Sequence, residues 1–128
     1  MQRWNVTHKI MVVEDDLPIL DMMDLLIRRL GYEPVLVADG LRALEIIRTD
    51  PPGLILLDIM MAPIDGWKFL GILRGEERMQ KIPVLIFSAA PEVEEMMGQI
   101  HDPLLGVLHK PVSLSEMKDA IRKFLPPT

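Results

Sequence analysis

A small set of side chains in this sequence could do chemistry together, and each follows a short apolar run. Glu14, Asp15 and Asp16 come after Ile10–Val13, and Asp58 comes after Leu54–Leu57. Ser88 follows Val84–Phe87, and Lys110 with Pro111 follows Val107–Leu108. Carboxylates brought together repel one another, and one takes up a proton unless a cation lies between them. Mg2+ suits such a site, because it prefers oxygen ligands and keeps several of its waters. A carboxylate beside that ion can attack phosphorus and form an aspartyl phosphate. Phosphoryl transfer then needs in-line positioning and neutralisation of three oxygens. An ammonium at Lys110, a hydroxyl at Ser88 and backbone N–H groups would supply it.

Those side chains can meet only if the apolar runs lie side by side. The runs Ile10–Val13, Pro34–Ala38, Leu54–Leu57, Val84–Phe87 and Val107–Leu108 are short and bounded by polar or turn residues. Strands buried on both faces of a parallel sheet read this way. Segments of helical period alternate with them. The first helix begins after Asp16 with Pro18 in its first turn, where a missing N–H costs nothing. Its apolar stripe is Ile19, Met22, Met23, Leu26, Ile27 and Leu30, with Leu20 and Leu25 pointing outward, and Gly31 stops it. The others are expected over Leu41–Arg48, after Asp65-Gly66, over Glu92–Ile100 and over Ser115–Phe124, the last with Ser113 and Glu116 as a capping box. Five βα units in a row predict an α/β fold with one parallel sheet, helices on both faces and right-handed crossovers. Ligands of such sheets bind beyond the carboxyl ends of the strands, where the reactive residues fall.

Composition narrows the classes. At 128 residues the chain suits one domain, and 49% hydrophobic with 26% charged residues is a globular balance. Without cysteine, disulfide frameworks, thiolate metal sites and cysteine nucleophiles are excluded. A net charge of −5 with no basic stripe argues against direct nucleic-acid contact. The first eight residues lack the apolar core of a signal peptide, and Leu54–Ile64 is too short to span a bilayer. A cytoplasmic protein without a membrane contact is the expectation.

Met11–Asp16, Leu56–Met61 with Asp65-Gly66, Phe87-Ser88-Ala89 and His109-Lys110-Pro111 resemble the motifs of bacterial two-component response regulator receiver domains, the CheY-like family. The resemblance runs from about Lys9 to Leu125 and divides the chain into an extension over 1–8, a receiver over 9–125 and a tail over 126–128. It implies a flavodoxin-like fold, a five-stranded sheet of order 2-1-3-4-5. It also implies Asp58 as phosphoacceptor, and Mg2+ held by Glu14, Asp15, Asp58 and the backbone carbonyl of Met60. Ser88 matches the switch hydroxyl, and Lys110 the phosphate-pairing lysine, often followed by a cis proline. The implied partners are a sensor histidine kinase or histidine phosphotransfer protein and a downstream protein. The outward face of the first helix resembles the surface that docks the phosphodonor, and Leu104 and Leu105 lie near the output surface.

The chain departs from the family pattern in four places. Proline stands five residues after Asp58, at Pro63, with Ala62 in its usual position. Val107 replaces an aromatic, so a rotating ring cannot report the phosphate. Met60 and Ala90 occupy the positions that tune dephosphorylation; neither orients a water, which predicts slow self-hydrolysis. Glu14 replaces the commoner Asp.

Other readings carry less. For Asp16 the structural alternative is a cap on the first helix. His8, His101 and His109 share no ligand spacing. The ten methionines read as core filling or flexible surface, and Trp67 as packing near the start of the third helix. A degenerate receiver that docks proteins unphosphorylated is the alternative function. A phosphohydrolase would want an acid at Met60, and a flavin carrier would want a Ser/Thr/Gly-rich loop after the first strand.

Overall fold

A computed structural model of the chain describes residues 8–88, 92–109 and 112–125, with only the backbone of Glu92. The elements alternate as β1 (Lys9–Val13), α1 (Leu17–Arg29), β2 (Glu33–Val37), α2 (Gly40–Thr49), β3 (Leu54–Asp58), α3 (Gly66–Gly75), β4 (Val84–Ser88), α4 (Glu92–Gln99), β5 (Leu105–His109) and α5 (Leu114–Phe124). The strands form one parallel sheet of order β2-β1-β3-β4-β5. That is the expected flavodoxin-like α/β arrangement.

The apolar runs explain the layering. β3 and β4 are buried along their whole length, whereas the edge strands β2 and β5 are partly exposed. Alternate strand residues face opposite sides. Met11, Ile55, Leu57, Val84 and Ile86 pack with α2, α3 and Val93 of α4. Ile10, Val12, Leu56, Leu85 and Phe87 pack with α1 and α5. Two cores thus clamp the central strands, and their carboxyl ends all emerge on one edge.

Polar residues set where the helices begin. Asp16, Asp39, Asp65 and Ser113 accept N–H bonds from the first turns of α1, α2, α3 and α5. Ser113 and Glu116 form the predicted capping box, at 3.1 and 3.3 Å. Gly31 follows α1 with a φ of 92°, a conformation costly for any residue with a Cβ. Tyr32 then donates its hydroxyl to the Leu125 carbonyl at 2.8 Å, tying the start of β2 to the end of α5.

Three expectations are corrected. Leu20 is buried with Met23 and Ile27, while Met22 is exposed; Leu25 points outward as expected. Both 20 and 22 are apolar, so hydrophobicity drew the stripe too far round, and the β-sheet with α5 decides which side is covered. β5 is longer than Val107–Leu108 and begins at Leu105, which is buried rather than preceding the strand on the surface. Gly106 weakened its strand pattern in the sequence, although Phe124 and Leu85 fill the space its side chain would take. β2 starts and ends one residue earlier than predicted.

Candidate functional site

The carboxyl ends of β1 and β3 bring Glu14, Asp15 and Asp58 together. β1 and β3 are neighbours, paired Val13 with Leu57, so the residue after each pair lands side by side. One carboxylate oxygen from each of the three lies within 4.8 Å of the others. Glu14 is 1% exposed and Asp58 5%, while Asp15 is open to solvent. Two buried acids in contact range of a third are costly without a cation. Their oxygens form a hard donor set that could hold a metal ion.

Backbone bonds hold this set in place. The Glu14 N–H donates to the Val37 carbonyl at 3.1 Å, which anchors the turn after β1 to the adjacent strand. Glu14 Oε2 accepts from the Asp16 N–H at 3.3 Å. Asp16 itself caps α1, accepting from the Ile19 N–H at 3.3 Å, so its role is structural. Asp58 Oδ1 accepts from the Met60 N–H at 3.2 Å, and Asp15 Oδ2 from the Ala62 N–H at 3.2 Å. The loop after β3 therefore wraps both acids. It contains a cis Ala62–Pro63 bond.

Gly66 was legible in the sequence as part of a helix start and of a family motif, without a packing reason. Its N–H donates to the Ile59 carbonyl at 2.9 Å. A Cβ there would lie 2.7 Å from the Asp58 carbonyl oxygen and from Ile59 Cα, both backbone atoms that cannot give way. The Asp65-Gly66 pair thus does two jobs: Asp65 caps α3 at the Lys68 N–H, 2.8 Å away, and Gly66 lets α3 press against the backbone of Asp58 and Ile59. An open cavity of about 500 Å3 adjoins Asp15, lined also by Ile59, Met60, Met61, Ala62, Asp65, Trp67 and Val93. Trp67 sits partly buried at the start of α3, as expected.

Ser88 ends β4 fully buried, one residue beyond the Asp58–Phe87 pair of the ladder. It faces the same side of the sheet as Ile86, toward α4. His109, its register partner on β5, pairs with Glu94 of α4. Val107 is half-buried against the larger core, so a branched, rotamerically stiff side chain fills the place expected of a movable ring. Lys110 with the anticipated cis Pro111, and Ala89 and Ala90, lie outside the described residues. Among the described residues, no helix is long and apolar enough to cross a membrane.

Residues 10–122 match the family described as "Response regulator receiver domain". Sporulation initiation phosphotransferase F of Bacillus subtilis is 29% identical over 121 residues, 94% of this chain and 96% of that protein. Response regulator MprA of Mycobacterium tuberculosis is 31% identical over 117 residues, covering 91% of this chain and 50% of MprA. The chain spans about half the length of several such curated regulators. Among solved structures, the receiver domain of sensor histidine kinase PA1611 from Pseudomonas aeruginosa, with a magnesium ion coordinated in its active site cleft, superposes with a TM-score of 0.82 at 22% identity; the match covers 95% of this chain and all of that one.

Proposed function

The chain belongs to the response regulator receiver domain family of two-component systems, and on that premise we propose that Asp58 accepts a phosphoryl group from phosphohistidine. The observation that carries this is the meeting of Glu14, Asp15 and Asp58 at the carboxyl end of a parallel sheet, two of them buried. An Asp58 carboxylate oxygen attacks phosphorus, the P–N bond of the donor breaks, and the imidazole nitrogen leaves and takes up a proton. Glu14, Asp15, Asp58 and the Met60 carbonyl would hold Mg2+, which when bound supplies charge neutralisation for the transferring oxygens. The neighbouring carboxylates favour that ion by the same repulsion that makes them costly without it.

This chain's own residues do the rest. The Met60 and Ala62 N–H groups orient Asp58 and Asp15. Ser88, and Lys110 by its place in the motif, would take the remaining phosphoryl oxygens. Residues 9–125 form the receiver unit in this reading, with 1–8 and 126–128 outside it. The name of the full-length B. subtilis relative, a phosphotransferase, is in keeping with onward transfer. The partners would be a histidine kinase or phosphotransfer protein and a downstream protein, in the cytoplasm. The charge of −5 speaks against nucleic-acid contact by this domain itself. Because Met60 cannot position a water, the phosphoryl group should be lost slowly.

Incubation with acetyl phosphate and Mg2+ followed by intact mass measurement tests this. One phosphoryl adduct is expected on the native protein and none on Asp58→Asn. No adduct from acetyl phosphate or from a phosphohistidine donor would instead support an unphosphorylated docking module. Continuous phosphate release would make it a hydrolase, and a phosphoryl half-life of seconds would contradict slow loss.

A further inference from the structure

We propose that the thioether of Met60 is an oxidation site, and that its conversion to the sulfoxide shortens the life of the phosphoryl group on Asp58. The inference rests on the phosphoacceptor reading above and concerns how that site is regulated. The described methionines differ in exposure, with Met61 and Met97 half-buried between the two extremes. Met11, Met23, Met79 and Met117 are buried, and oxidising them would put a polar oxygen into the core. Met60 is 70% exposed, ahead of Met22 at 48% and Met96 at 36%. Its sulfoxide would stand largely in solvent rather than in the core, so the fold survives the change and the change can be reversed.

Position distinguishes Met60 from the other exposed methionines. Its backbone N–H is bonded to Asp58 Oδ1 at 3.2 Å, which tethers the residue directly beside the acceptor. Met60 lines the 500 Å3 cavity that also borders Asp15, together with the half-buried Met61, while the exposed Met22 and Met96 do not line it. That cavity opens to solvent at Asp15, whose carboxylate neighbours that of Asp58. A thioether is a weak acceptor and leaves a water there unoriented. A sulfoxide oxygen is a strong acceptor, and can hold a water for attack on the phosphorus.

The oxidation balances with a hydroperoxide as co-reactant. A sulfur lone pair attacks one oxygen of hydrogen peroxide, the O–O bond breaks, and an S–O bond forms. The second oxygen leaves as water after proton transfer. Sulfur loses two electrons and the peroxide gains them. A methionine sulfoxide reductase restores the thioether.

The test treats the whole chain with limiting hydrogen peroxide and maps sulfoxide at each methionine by peptide mass. The protein is then phosphorylated with acetyl phosphate, the donor removed, and loss of the adduct followed by intact mass. Met60 should oxidise before Met22 and Met96, and the oxidised protein should lose its phosphoryl group several-fold faster. Met60→Gln, which places an amide oxygen near the same point, should lose it faster without peroxide. In Met60→Leu the lifetime should be the same before and after peroxide. Oxidation of Met60 with an unchanged lifetime overturns this inference and leaves the phosphoacceptor reading standing; so does a Met60→Leu protein that still responds. A native protein that takes no phosphoryl group overturns both.

Discussion

Helices α3 and α4 cover the same face of the sheet, yet they are attached to it in different ways. α3 buries Phe69, Leu70 and Leu73, is capped by Asp65, and rests its first residue on the backbone of Asp58 and Ile59. α4 has eight residues, and among its described side chains only Val93 is buried, with Met97 packed partly against the core. The remainder of its hold includes the exposed Glu94–His109 pair to β5. Elements with few buried apolar contacts open at lower free energy than those in the core. Asp58 and the neighbouring acids therefore stand beside the more firmly held helix, and α4 is the one that opens more easily. A receiver needs both properties. The acids must not move when phosphorus arrives, and something beside them must.

Substitutions can break that contrast. Phe69→Ala should destabilise the fold by about 3–5 kcal/mol, as truncation of a fully buried aromatic does. Urea unfolding measures it, and a loss under 1 kcal/mol would show that α3 is no frame. The next effect lies where α3 meets the strand beyond α4. Arg74 donates to Asp102 Oδ2 at 2.7 Å, to the Ile82 carbonyl at 2.7 Å and to the Leu104 carbonyl at 3.2 Å. Arg74→Ala removes all three and should cost about 2–3 kcal/mol, between the values for exposed and buried pairs.

The same cluster has a pH signature. Burial alone would raise the Asp102 pKa, but the Arg74 hydrogen bond, the Leu104 N–H and the Arg74 charge outweigh it and hold the group below its ordinary 3.8. A depressed folded pKa contributes stability above the unfolded value that is lost as pH falls through the folded one. Stability of the native protein should therefore fall on acidification below about pH 4, and Arg74→Ala should flatten that part of the curve. An unchanged slope would remove Asp102 as its source.

Val93→Ala should cost less, about 1.5 kcal/mol for two lost methyl groups, and should raise amide exchange in α4 without raising it in α3. Equal exchange in the two helices would end the comparison. Glu94→Gln is the smallest change. The pair is exposed, so roughly 0–0.5 kcal/mol is expected, with faster exchange confined to α4 if the pair holds that helix to β5.

Much of this could be read before the structure was seen. Leu54–Leu57 and Val84–Phe87 announced buried strands because nothing polar interrupts them, and their polar terminators announced the site edge. Ser113 and Glu116 announced the cap of α5 because that bond is local. The facing of α1 was misread at Leu20 and Met22, since periodicity reports apolar content and only the packed neighbours report which side is covered. The cavity beside Met60 was invisible for the same reason: Trp67 and Val93 come to it from different helices.

The sequence by itself determined the order of elements, the sheet edge that carries chemistry and the residue types standing there. These follow from local propensity and from strand ends, which need no knowledge of distant contacts. Tertiary packing is what buries Glu14 and Asp58 while Asp15 stays open, and what requires glycine at 66 because α3 leans on the backbone of Asp58 and Ile59. The unequal grip of α3 and α4 is likewise a tertiary outcome. Burial and close approach depend on which chain segments, remote in sequence, arrive at the same place, and no single segment encodes that.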